Sequence, residues 1–151
     1  MNATQPTQLA AQINGIVDFC LKRGKRTAVG KLDREAAFRY VAFCMLTGKL
    51  AFSYENNQIE AVAFYWAGHR EHIEAKFAED LPQFEWTMPK HGDCLFLGDC
   101  IGSREGIARI YQSVIEKFPN MITVPILTYR RGNLVCLTNG IIERFIVKGL
   151  K

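Results

Sequence analysis

The sequence predicts an α+β domain with a mostly antiparallel sheet and one parallel strand–helix–strand crossover. Two segments with helical periodicity open the chain, and several β-prone runs follow them in pairs. The crossover is indicated by an apolar run at 94–101 that leads directly into the strongest amphipathic segment, 104–118. A chain of 151 residues corresponds to one domain, 1–151, in which 1–32 form a helix and a basic linker.

The first two elements are predicted to be helices. Apolar residues recur at helical spacing over 7–22, and Gly24 follows the basic end of this segment. Asp33 is a candidate N-cap for a second helix, which runs to Leu46 and which Gly48 ends. Apolar residues cover most of the circumference of this second helix, so we expect it to be well buried.

A β-hairpin is predicted after the helices. β-prone runs at 50–54 and 59–66 flank residues 55–58, where two asparagines tolerate the left-handed backbone that a tight reversal needs. Residues 69–79 are charged and carry one thin apolar stripe, which predicts a short surface helix. The proline-containing segment 82–89 is predicted to be a loop.

The central strand is predicted at 94–101, because a run that is apolar on both faces is typical of a strand covered on each side. The following helix is long enough for a crossover, so a strand at 122–129 should lie parallel to the central strand. Pro125 removes one ladder donor, and this strand should therefore be partly unpaired. A turn at 130–132 and a returning strand at 133–138 complete the sheet.

Composition and charge exclude several classes of protein. Nineteen Lys and Arg against fifteen Asp and Glu give a net charge of +4, which falls short of a dedicated nucleic-acid binder. No apolar run reaches the ~18 residues of a membrane span, and the polar start lacks the features of a signal peptide, so we expect a cytoplasmic protein. The five widely spaced cysteines predict reduced core thiols and neither disulfides nor a zinc site. They are Cys20, Cys44, Cys94, Cys100 and Cys136.

Asp99 is the candidate catalytic residue. Strict alternation places its side chain on the strand face of Leu95, Leu97 and Ile101, and a carboxylate among apolar side chains must find hydrogen bonds or shift its pKa upward. The neighbouring Gly98 could mark a bulge that re-aims the carboxylate. Two interpretations stay open: Asp99 accepts backbone N–H groups or caps the next helix, or it takes a catalytic or ligand-orienting role.

The turn after the central strand is a candidate anion site. Gly102 and Gly106 bring backbone N–H groups to the start of a helix whose dipole favours an anion, and Arg104 and Arg109 add positive charge. This arrangement would suit a pyrophosphate. The alternative is a simple turn followed by close packing of the helix on the strand.

The spacing Ser103-x-x-Gly106-x-Ala108 resembles the pyrophosphate loop of GNAT acyltransferases, although Ser103 stands where that family has Gln or Arg. A closer resemblance is to the toxin-activating lysine acyltransferases, which have a reduced GNAT-like fold. Several short motifs of that family occur here in the same order, between about residues 33 and 138. They are Trp66-Ala67, Trp86-Thr87, Gly92-Asp93, Phe96, Asp99-Cys100-Ile101 and Lys117-Phe118-Pro119.

The resemblance implies an acyltransferase that moves an acyl group from acyl-CoA or acyl carrier protein to an amine, such as a lysine side chain of a protein or a small amine. It implies a donor but no tightly bound cofactor and no metal. The donor-binding residues would be Gly102, Ser103, Arg104, Gly106 and Ala108, beside the catalytic Asp99.

The histidine with which the family's aspartate works has no counterpart, since no histidine precedes His69. Either another group serves as the base that amine acylation requires, or the activity has been lost. The second reading is a catalytically inactive GNAT-like interaction protein, of phage or mobile-element origin. Under either reading, aromatic residues such as Phe43 could belong to the core or to the contact surface of a homodimer.

The remaining polar clusters have weaker signals. His69 and His72 would share a helix face, but no third metal ligand accompanies them, and His91 precedes the central strand at the end opposite Asp99. The basic residues at 22–26 and 130–131 could contact phosphates, or they could simply be solvated helix ends and turns.

Overall fold

The computed structural model describes residues 5–78, 94–117, 126–130, 133–137 and 144. Within these residues the chain forms an α+β fold of four helices and a five-stranded mixed sheet, and its element order agrees with the sequence prediction. The helices are α1 (Gln5–Arg23), α2 (Arg34–Leu46), α3 (Arg70–Ala78) and α4 (Arg104–Lys117). The strands are β1 (Leu50–Glu55), β2 (Gln58–Gly68), β3 (Cys94–Gly102), β4 (Ile126–Arg130) and β5 (Asn133–Leu137).

Local sequence signals explain where the early elements begin and end. The Asp33 side chain accepts a hydrogen bond of 2.8 Å from the Ala36 N–H and so caps α2, as predicted. Gly48 has a φ of 71°, a left-handed conformation that ends this helical segment. Asn56 and Asn57 both have positive φ, at 52° and 64°, and form the tight turn of the β1–β2 hairpin.

The sheet has the order β1-β2-β3-β4-β5, with β3 at its centre. The predicted parallel pairing is confirmed, because β3 and β4 run parallel with Leu95, Phe96 and Leu97 opposite Ile126, Leu127 and Thr128. All other neighbouring strands are antiparallel. The predicted loop at 82–89, residues 122–125 with Pro125, and the turn residues 131–132 lie outside the described residues.

Helices cover both faces of the sheet. The main core lies between α1, α2 and one face, and its fully buried members include Ile16, Val17, Val41, Val62, Phe64, Trp66 and Phe96. Ile73 of α3 is also fully buried in this core, which explains the thin apolar stripe of that helix. On the other face, α4 packs its Ile110 against Ala61 and Ala63 of β2. The central strand is therefore covered on each side, as its sequence predicts.

The cysteine prediction holds for three of the five thiols. Cys20, Cys44 and Cys94 are buried, Cys100 is half-buried, and Cys136 is exposed on β5. All five are free thiols. The expectation that every cysteine is a core residue is wrong at Cys136, because β5 is the edge strand of the sheet. Among the described residues, no helix has the length and apolar character needed to cross a bilayer.

Two β-bulges interrupt the ladders around β2. Tyr65 pairs with Leu97 whereas Ala63 pairs with Cys100, so two steps along β2 correspond to three steps along β3. The extra residue lies in the segment 98–99, where the sequence suggested a bulge. A second register shift, between Ser53 and Tyr54 of β1, leaves Glu60 as the extra residue of β2. Both bulges lie at the end of the sheet where β3 finishes.

Candidate functional site at the end of the central strand

The bulge moves Asp99 to a different face from the one that strict alternation predicts. Leu95 and Leu97 pack with Ile126 in one cluster, whereas Phe96 and Ile101 belong to the core under α1 and α2. Asp99 bonds to Val29 of this second core, so the expectation that it shares a face with Ile101 holds, whereas the expectation that it shares a face with Leu95 and Leu97 is wrong. The extra residue reverses the in–out order of every side chain beyond it.

The Asp99 side chain is buried and accepts a backbone hydrogen bond. Asp99 is 2% exposed, and its Oδ2 lies 3.3 Å from the Val29 N, whose N–H donates to it. Val29 belongs to the short 3-10 helix (Val29–Lys31) between α1 and α2. Asp99 thus accepts a backbone N–H, as the first of its two interpretations expects, from a donor 70 residues away in sequence. Burial, and secondarily the nearby Asp99 charge, raises the pKa of Cys20 to about 12.

The turn into α4 depends on Gly102. Its φ is +124°, and a Cβ at this position would lie only 2.2 Å from the Glu60 carbonyl oxygen. The next residue, Ser103, donates its N–H to that same oxygen at 3.0 Å and caps α4 by accepting the Gly106 N–H on its Oγ at 3.0 Å. Two backbone N–H groups of the predicted anion turn are thus bonded within the protein.

Gly106 and Ala108 lie where the helix meets the sheet. A Cβ on Gly106 would lie 2.8 Å from the Ala61 Cβ and 2.8 Å from the Glu60 Cγ, so the backbone of α4 approaches β2 as closely as a glycine allows. Ala108 is fully buried. Gly106 therefore allows close packing of the helix on the sheet, which is the alternative interpretation of this spacing. Ser103 and Arg104, which belong to the same turn, are exposed.

Glu60 also belongs to the site, although no sequence motif indicates it. Its side chain is only 6% exposed, and its Oε1 accepts a hydrogen bond from the Arg109 Nη1 at 2.5 Å. The Arg109 guanidinium holds the pKa of Glu60 below its usual range, against the opposing effect of burial. A charged residue inside the apolar run 59–66 is the signal that could have drawn attention to it.

This ion pair changes the electrostatics expected at the turn. The sequence offers Arg109 as a cation for a phosphate, but the buried Glu60 carboxylate largely neutralises its charge. Glu105 lies 3.9 Å from the same guanidinium and adds a second negative charge. Arg104, in the first turn of α4, is exposed and sits where the helix dipole favours an anion.

The β3–β4 ladder ends at the bulge. Its last pair joins Leu97 to Thr128, and the Thr128 Oγ1 donates to the Leu97 carbonyl at 3.0 Å. Although β3 continues to Gly102 and β4 to Arg130, no ladder pair joins these two described strands beyond Leu97. The two strands are therefore paired at their start and unpaired toward their carboxyl ends.

Cys100 lies beside this unpaired end, on the α4 side. Its Sγ is 3.1 Å from the Tyr111 Oη, and burial raises the pKa of both groups. A thiol with a raised pKa is a poor nucleophile at neutral pH, because little thiolate is present. The structure thus agrees with the interpretation of Cys100 as a packing residue.

The histidines of the described region lie at the other end of the sheet. His69 follows β2 directly, and His72 lies in α3. At this end of the sheet Gly68, the last residue of β2, pairs with Cys94, the first residue of β3. Asp99 lies five steps along the strand from Cys94, about 16 Å of extended chain. His91 lies outside the described residues. In the described part of the chain no group of three His, Cys, Asp or Glu side chains could hold a metal ion.

Comparison with models of protein families, with curated proteins and with solved structures finds no match to this chain. The candidate site lies at the carboxyl end of the central strand. It consists of the bulged strand end with Asp99, the capped glycine turn, the Glu60–Arg109 ion pair and the unpaired carboxyl ends of β3 and β4.

Proposed function

We propose that this GNAT-like domain binds an acyl donor, acyl-CoA or acyl carrier protein, at the carboxyl end of β3 and transfers the acyl group to an amine. The observation that carries the proposal is the parallel β3–β4 pair, which is closed over 95–97 and unpaired beyond the bulge. The strand then runs through the Gly102 turn into α4, the order of elements that the resemblance implies for a donor site.

The unpaired strand ends offer a binding mode for the donor. Where two strands separate, backbone groups that would have completed the ladder can bind an extended, amide-containing chain, as in β-strand addition. The pantetheine arm, which acyl-CoA and acyl carrier protein share, is such a chain. The start of α4 with the exposed Arg104 would lie beside its phosphate end. A cytoplasmic location would suit these donors.

In the proposed reaction a neutral amine attacks the thioester carbonyl, a C–N bond forms, the C–S bond breaks and a thiol leaves. A proton must first leave the ammonium form of the amine. Asp99 corresponds to the family's aspartate, but its carboxylate is buried and bonded to the Val29 N–H. We therefore assign it the positioning of the bulge that forms the donor site.

A second candidate function is a non-enzymatic interaction protein that keeps the same fold. Two observations favour it: the described residues bring no histidine to Asp99, and Arg109 is committed to Glu60. The two candidates differ in whether the domain binds an acyl donor at all.

Donor binding can be tested by native mass spectrometry and thermal shift with a hexadecanoyl-CoA and a hexadecanoyl acyl carrier protein. A donor at about 100 times its Kd should stabilise the domain by about 2.7 kcal/mol. For a domain of this size that corresponds to a rise in Tm of about 5–10 °C. Arg104→Ala should reduce the shift, whereas Arg39→Ala, an exposed arginine of α2, should leave it unchanged. No shift with either donor would favour the interaction protein.

A further inference from the structure

Five exposed cations follow one another at the end of α1 and in the segment leading to α2. We call residues 22–31 the basic loop. It contains no acidic residue, and its five cationic side chains are all exposed to solvent: Lys22, Arg23, Lys25, Arg26 and Lys31. The nearest carboxylates in sequence serve elsewhere, because Asp18 pairs with Arg34 at 2.5 Å and Asp33 caps α2. The loop therefore presents a concentrated positive surface.

This surface is held in a fixed shape by the residues between the cations. The Thr27 Oγ1 donates to the Gly24 carbonyl at 2.6 Å and accepts the Gly30 N–H at 3.1 Å. Val29 is fully buried in the main core, and its N–H is bonded to Asp99. A partner would thus meet an already ordered backbone, which lowers the entropic cost of binding.

The basic loop borders the proposed donor site. A Cβ on Gly24 would lie 2.6 Å from the Ile101 Cδ1, so the loop rests on the last residues of β3, directly before the Gly102 turn. It lies on the α1 side of the sheet, whereas α4 lies on the other side. If the phosphates of the donor bind at the α4 turn, the basic loop can bind a different part of the same ligand.

The composition of the loop favours a protein partner over a nucleic acid. Residues 22–34 include no aromatic side chain on which a base could stack, and no Asn or Gln that could read an adenine. Lysine and arginine side chains alone suit a surface rich in carboxylates. We infer that the basic loop is a docking surface for an acidic protein. This partner is the acyl carrier protein that delivers the acyl group, an identification that rests on the proposed function.

The test measures binding of hexadecanoyl acyl carrier protein to the full chain by calorimetry. Lys25→Glu/Arg26→Glu should weaken binding by about tenfold or more at about 50 mM NaCl, and this difference should shrink at about 300 mM because salt screens exposed charges. Arg39→Glu/Arg70→Glu changes the charge equally, on α2 and α3, and should alter the affinity by less than about twofold. Circular dichroism checks that each variant is folded, and Lys31→Glu replaces the double variant if that variant is not.

The outcomes separate this inference from the proposed function when hexadecanoyl-CoA is measured in parallel. If hexadecanoyl-CoA binds but the carrier protein does not, the inference is overturned and the proposed function stands. The same holds if the carrier protein binds the loop variant and the wild type equally. If neither donor binds, both fall. Tighter binding of a short DNA duplex than of the carrier protein, lost in the loop variant, would also overturn the inference and make the partner a nucleic acid.

Discussion

Replacing Asp99 by Asn tests how the buried carboxylate acts. In the structure this side chain is 2% exposed and accepts the Val29 N–H at 3.3 Å. Asn keeps the size and one acceptor oxygen but removes the charge and introduces an NH₂ donor into a buried site. Weakening a buried hydrogen bond to a charged group in this way costs about 1–3 kcal/mol. The length of the Val29 bond favours the lower half of that range.

Urea denaturation monitored by circular dichroism measures this loss. With a slope of about 2 kcal/mol per molar urea, the expected destabilisation moves the midpoint down by about 0.5–1 M. Asp99→Ala should cost more than Asp99→Asn, because it leaves the Val29 N–H without this acceptor and opens a small cavity. Donor binding, measured by native mass spectrometry at a temperature at which both variants are folded, should be weaker for Asp99→Ala than for Asp99→Asn, because Asp99 positions the bulge that forms the donor site.

An unchanged urea midpoint for Asp99→Asn would contradict a stabilising role of the Asp99 carboxylate. Unchanged stability together with complete loss of acyl transfer would instead support direct catalysis by Asp99.

Three further predictions concern backbone strain and pH. Gly102→Ala should destabilise the fold by about 3 kcal/mol, because this residue has a positive φ and an added Cβ would clash with the Glu60 carbonyl. The control Gly48→Ala should cost about 1 kcal/mol, because Gly48 has a φ of +71° but nothing lies within 4 Å of an added Cβ. Urea midpoints compare the two variants. The pKa of Glu60 is lowered in the folded state, so its ion pair stabilises above pH 4.5 and loses that effect as pH falls. Stability curves of the wild type and Glu60→Gln should therefore converge below pH 4.5, and parallel curves would contradict this. Burial raises the pKa of Cys20 and Cys44 from 9.0 to about 12, so each thiol should reduce stability as pH rises from 9 toward 12, by at most about 1.4 kcal/mol per pH unit. Cys44→Ala should flatten this alkaline decline in thermal melts, and an unchanged slope would contradict it.

Local sequence signals are sufficient to predict the types of the elements and their order. Helical periodicity, the Asp33 cap and the paired asparagines act over a few residues, so their effects can be predicted without knowing the tertiary structure. The parallel pairing of β3 with β4 was also predictable, because a strand, a long helix and a second strand have few ways to connect.

The assembly of the site depends on contacts between distant parts of the chain. The bulge that turns Asp99 toward α1 depends on how β3 pairs with β2, and register is a property of two strands rather than one. The contacts of Asp99 with Val29 and of Glu60 with Arg109 join residues 70 and 49 positions apart. Local patterns carry no information about such pairs, because burial brings them together only when the whole chain has packed and each buried charge must find a partner.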